Sequence, residues 1–156
     1  MAKTNKRWLD DPVAFFDEII VNHETGKSFV LYDEQKRFLR EALRLTPDGR
    51  LAYSECVFSA PKKSGKSTTA ALAMLYVIIV LGGPFAEGLV IANALDQASE
   101  RVFLTLCRII EASPRLKGSA TITTNKVTFK STGATITAIP SRPTRPQQQA
   151  ATPLTS

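Results

Sequence analysis

The chain has 156 residues, enough to bury one hydrophobic core and too few for a second domain of ordinary size. Its apolar and charged fractions, 44% and 22%, are those of a soluble globular protein, and its longest apolar run, the twelve residues from Ala70 to Leu81, falls short of a membrane span of about 20. Up to Glu111 the fourteen basic and fourteen acidic residues cancel, so the whole net charge of +6 lies after Ala112, where Arg115, Lys117, Lys126, Lys130, Arg142 and Arg145 face no acid; such an excess suits either a nucleic-acid footprint or a solvated face with a tail.

No apolar stretch follows the first basic residues, so no signal peptide is expected. Asp10-Asp11-Pro12 predicts a helix start, with an Asp cap and Pro in the first turn. Val13, Phe16, Ile19 and Ile20 continue it at helical spacing to about Asn22-His23. His23, the only histidine, has no cysteine or carboxylate cluster beside it that would suggest a metal site. Phe29 to Tyr32 is a short extended lead-in to a second helix over 33–45, with Phe38, Leu39, Ala42 and Leu43 on one face. Gln35 lies in its first turn. A glutamine amide both donates and accepts, as the adenine edge carrying N6 and N7 requires, which makes Gln35 a base reader or else a plain solvated helix residue. Thr46-Pro47-Asp48-Gly49 then makes a turn.

The stretch from Tyr53 to Gly82 organises the rest. Cys56-Val57-Phe58 is expected to be a buried strand, the segment to Ser67 a loop, and the Ala, Leu, Ile and Val-rich run after it a core helix. Strand, loop and helix with Gly65-Lys66-Ser67-Thr68 at the junction is the context of a phosphate loop. Backbone N–H groups of such a loop, here around Lys63, Ser64, Gly65 and Thr68, and the positive end of the helix attract phosphates. Lys66 would reach the β- and γ-phosphates, and Ser67 would place its hydroxyl on Mg²⁺. Ala60 stands where the full motif has its first glycine, and a basic surface turn before a buried helix is the other reading. Cys56 and Cys107 lack metal-site spacing and read as buried free thiols in a reducing cytoplasm.

Gly82-Gly83-Pro84 breaks the chain before a second buried strand, 88–92, which with the first strand and the helix would form a right-handed βαβ unit. After Asn93 to Gln97 a helix carries Ala98, Val102, Leu106, Ile109 and Ile110 on one face and closes at Ser113-Pro114. From Ala120 to Ile139 the period changes to two, predicting a small antiparallel meander. Beyond Pro140 three prolines and no apolar periodicity predict disorder.

With these residues the chain resembles the amino-terminal part of the large subunit of tailed-phage terminases, the motors that package DNA into capsids. Four features carry the resemblance in order: 31–39 with Gln35, the loop 60–68, the segment 90–103 with Asn93, Gln97 and Ala98, and the meander ending Ile136-Thr137-Ala138-Ile139-Pro140-Ser141. The resemblance implies that Gln35 contacts adenine, Lys66 the phosphates and Ser67 the Mg²⁺ of a bound ATP. It also implies that a basic residue early in the loop acts in cis on the γ-phosphate, a place held by Lys62, with Lys63 able to substitute. The segment 93–97 would couple nucleotide state to the rest of the motor. In the full-length protein it implies double-stranded DNA, a terminase small subunit and a portal protein as partners, in the host bacterial cytoplasm, and an activity of ATP-driven translocation with endonuclease cutting.

Hydrolysis in this fold needs an apolar strand ending in Asp-Glu, and no acidic residue follows Glu111. Asp17-Glu18 and Asp33-Glu34 imitate the pair but precede the loop. The family's nuclease carboxylates are likewise absent from this sequence. The expected architecture is therefore α/β: an incomplete P-loop NTPase parallel sheet with a helical amino-terminal entry and a small antiparallel meander. It divides into 1–50 with the adenine motif, 51–141 as the partial ATPase domain, and 142–156 as a disordered tail whose codon pairs also suit an out-of-frame reading. A superfamily 2 helicase-like ATPase fragment and an inert prophage remnant are the alternative readings.

Overall fold

The computed structural model describes residues 5–92 and 98–140. Local chemistry accounts for the first helices. Asn5 caps α1 (Lys6–Asp10) by accepting from the Arg7 N–H, and Asp11 caps α2 (Pro12–Ile19) by accepting from the Val13 N–H, with Pro12 in the first turn as its sequence predicts. Asp11 also takes a two-pronged bond from Arg40 at 3.1 and 3.3 Å, which ties α2 to α3 (Asp33–Ala42). Burial pushes the Asp11 carboxyl up, but Arg40 and the Val13 N–H outweigh it and hold it below the usual range.

The core lies where α2, α3 and α4 (Lys66–Tyr76) meet. Phe15 and Phe16 pack edge-on against Tyr76 at 5.9 and 6.2 Å, and Leu39, Leu72 and Leu75 are fully buried beside them. The Tyr76 hydroxyl donates to the Trp8 carbonyl at 2.7 Å, anchoring α1 to this core. At its far end α4 loosens into a π-helical turn over Val77–Leu81 and stops at Gly82.

A four-stranded sheet in the order β1-β4-β3-β2 follows, built from β1 (Glu87–Ala92), β2 (Ala120–Ile122), β3 (Lys126–Phe129) and β4 (Thr135–Pro140). The last three form the antiparallel meander that the period of two predicts, and β4 then runs parallel to β1 with Gly88 opposite Ile136 and Val90 opposite Ala138. Between β1 and β2 lies α5 (Ala98–Ala112). Gly88, Val90, Ile136, Val127 and Phe129 line the face turned to the core; a Cβ on Gly88 would meet the Met74 sulfur at 2.6 Å, so β1 lies close against α4 there and a larger residue would have to displace the Met74 side chain. On the other face Leu89 and Ile91 are 51% and 64% exposed. Among the described residues no helix is long and apolar enough to cross a membrane.

Two expectations fail at one place. Cys56-Val57-Phe58 is not a strand: residues 55–60 are irregular and Val57 is 80% exposed. The expected βαβ unit across α4 is therefore not formed. Among the described residues this apolar segment has no sheet neighbour, and a strand exists only through its ladder partner. Cys56 is consequently exposed rather than buried, whereas Cys107 is buried as expected and its thiol is pushed up to about 11 by burial, with Glu111 adding to the shift. The tail and the 93–97 segment lie outside the described residues.

Candidate functional site

Residues 60–67 leave the irregular segment and enter α4. Ser64 bridges the turn by donating its hydroxyl to the Pro61 carbonyl at 2.5 Å. Lys63 and Gly65 both have left-handed backbone, with φ of 62° and 80°. Left-handed residues set among right-handed ones curl successive N–H groups to one side, the geometry of an anion cradle. Gly65 is also the N-cap of α4, and no side chain caps that end. The first-turn N–H groups thus keep their donor capacity.

Lys62, Lys63 and Lys66 are exposed, Ser64, Gly65, Ser67 and Thr68 half-buried. Among the described residues none of the three lysines is in an ion pair within 4.0 Å. The loop therefore presents a concentration of positive charge in front of a helix N-terminus. Lys66 and Ser67 also line a cavity of about 550 Å³ walled by Phe38, Leu43 and Phe58, between α3, α4 and the irregular segment. Phe38 and Phe58 pack there with ring centroids 4.6 Å apart and planes tilted by 41°.

Gln35 is drawn to the same loop but is not solvated: it is 4% exposed. Its Oε1 accepts from the Tyr32 N–H at 3.0 Å, one half of a capping box for α3, and its Nε2 donates to the Thr69 hydroxyl at 3.0 Å. The Tyr32 N–H can meet only the oxygen, which fixes the amide's orientation. Thr69 in turn donates to the Gly65 carbonyl at 2.9 Å. Sequence reasoning did not single out Thr69. Its position one helical turn after Gly65 is the signal that was available, since a threonine hydroxyl readily bonds the carbonyl four residues back.

The two carboxylate pairs that imitate a strand-terminal Asp-Glu do not end strands. Asp17 and Glu18 belong to α2, where Glu18 accepts from Arg7 at 2.6 Å and from the Trp8 indole at 2.9 Å, and Asp33 and Glu34 form the first turn of α3. Among the described residues no cluster of three His, Cys, Asp or Glu side chains is placed to hold a metal ion.

The described residues define the class as a mixed α/β fold, a four-stranded sheet of one parallel and two antiparallel pairings with helices packed against it. No family model and no curated protein sequence matches the chain. In three dimensions it superposes on the crystal structure of the HK97 bacteriophage large terminase with a TM-score of 0.71 over 92% of its length, at 17% sequence identity. The chain thus has the fold of a stretch of a terminase large subunit, and it spans 29% of that protein.

Proposed function

We propose that this chain is the ATP-binding part of a terminase large subunit, the component of a viral DNA-packaging motor that engages nucleotide. The observation that carries the reading is the loop 60–67, with left-handed Lys63 and Gly65 opening into the uncapped start of α4 beside Lys66 and Ser67, set in a fold shared with the HK97 large terminase. Lys66 would hold the β- and γ-phosphates, the N–H groups of Lys63 to Thr68 would cradle them, and Ser67 would supply one oxygen to Mg²⁺. Gln35 has one amide hydrogen and one lone pair beyond its two bonds, enough to meet N6 and N7 of adenine once α3 and the loop part slightly. Lys62, or Lys63 in its place, would neutralise the γ-phosphate as a point charge. The full-length protein would couple this site to DNA translocation and cutting, with duplex DNA, a small subunit and a portal as partners in the host cytoplasm.

The chain itself is expected to bind ATP without turning it over above background, because among the described residues no Asp-Glu pair ends a strand to orient water or complete the Mg²⁺ shell. Equilibrium dialysis of labelled ATP against the purified chain, with and without Mg²⁺, tests the binding. Retention of ATP that Lys66→Ala abolishes agrees with the proposal. No retention by the native chain at millimolar ATP contradicts it and leaves the inert-remnant reading.

A further inference from the structure

The hydrogen bonds around Gln35 form a directed relay. The Tyr32 N–H donates to Gln35 Oε1, Gln35 Nε2 donates to Thr69 Oγ1, and the Thr69 hydroxyl donates to the Gly65 carbonyl. Neither the Gln35 nor the Thr69 side chain is left for solvent, since Gln35 is 4% and Thr69 1% exposed. A chain of this kind polarises its own members and is stiffer than three separate bonds. The relay is also closed sterically. A Cβ on Gly65 would lie 2.8 Å from Gln35 Nε2, so the amide rests directly against the loop's glycine. The start of α3 and the residue that caps α4 are thereby held in one fixed relation, although 29 residues of sequence, including the irregular segment 55–60, separate Gln35 from Gly65.

We propose that Gln35, acting through Thr69, is a positioning residue for the phosphate loop: it holds Gly65 in the left-handed conformation that presents the loop's N–H groups to phosphate. This rests on the nucleotide-binding reading above and deepens it. A residue that only reads the base affects ATP and leaves a base-free triphosphate untouched. A residue that shapes the loop affects both equally. The irregular segment before the loop gives such a support its importance, because among the described residues no sheet ladder fixes residues 55–60 from the other side.

The probes are Mg-ATP and Mg-tripolyphosphate, titrated calorimetrically into the full chain. The variants are Thr69→Val, which keeps the shape and removes the hydroxyl, Thr69→Ser, which keeps the hydroxyl, and Gln35→Ala. Thr69→Val and Gln35→Ala are expected to weaken tripolyphosphate about five- to tenfold, the size of one buried hydrogen bond, and ATP by at least as much. Thr69→Ser is expected to bind both ligands as the native chain does, which a loss through mere misfolding would not reproduce. Native affinity of Thr69→Val for tripolyphosphate, or loss in Gln35→Ala confined to ATP, overturns the positioning role while leaving nucleotide binding intact. Failure of the native chain to bind either ligand removes the nucleotide-binding reading itself, and the positioning role with it.

Discussion

Replacing Gly65 by alanine perturbs two things whose sizes can be separated. At φ 80° an L-residue is strained, at a cost of roughly 1–2 kcal/mol. The new Cβ also meets Gln35 Nε2 at 2.8 Å. That amide is the end of a flexible side chain, but it is buried and held at both ends, so moving it surrenders the bond to Thr69 or to the Tyr32 N–H, each worth about 1 kcal/mol net. Gly65→Ala should therefore destabilise the fold by about 2–3 kcal/mol. In a Gln35→Ala background the steric part vanishes, and the same substitution should cost only the backbone part, about 1–2 kcal/mol. Urea unfolding of the native chain, both single variants and the double variant gives the coupling directly. It should be about 1 kcal/mol. Additivity to within about 0.5 kcal/mol, the scatter of independent sites, would refute the contact between loop and amide.

Lys63 is the other left-handed residue, at φ 62°; Lys63→Gly relieves the Cβ strain at some entropic cost and should raise the melting point, by about 0.5–1 kcal/mol in stability. Asp11→Asn keeps a good cap but removes the charge facing Arg40, so it should cost at most about 1 kcal/mol near neutrality. The Asp11 carboxyl is held below its ordinary value of 3.8, so its ionic contribution is present above that pH and is lost as the pH falls through the lowered folded value; chemical denaturation at pH 7 and in acid should show the native chain and the variant converging. Thiol labelling should modify exposed Cys56 in the folded protein at once. Buried Cys107, with its thiol pushed up to about 11, should react only with unfolding. Two equally fast thiols would contradict the packing of α5.

What the sequence disclosed was what is decided locally. The Asp11-Pro12 start of α2, the alternation that builds β2 to β4, and the glycine and lysine that open α4 depend on neighbours within a few residues. Pairing at long range was not legible. An apolar triplet at 56–58 has strand propensity, but propensity does not name a ladder partner, and the segment stays irregular and exposed. The parallel pairing of β4 with β1 was hidden for the same reason, since it joins residues separated by α5 and a hairpin. At the site, the glutamine and the loop were visible as residue types. Their contact through Thr69 was not, because a threonine inside a helix carries no sign of what its hydroxyl meets.

The central claim is that the loop 60–67 receives the phosphates of a nucleotide, and thermal unfolding with Mg-ATP tests it most directly. A ligand at 100 times its dissociation constant that binds only the folded state adds about 2.7 kcal/mol, which for a chain of this size corresponds to a rise of about 5–10 °C in Tm. The account predicts that rise for the native chain and its disappearance in Lys66→Ala. An unchanged Tm at millimolar Mg-ATP, or an equal rise in Lys66→Ala, would contradict it.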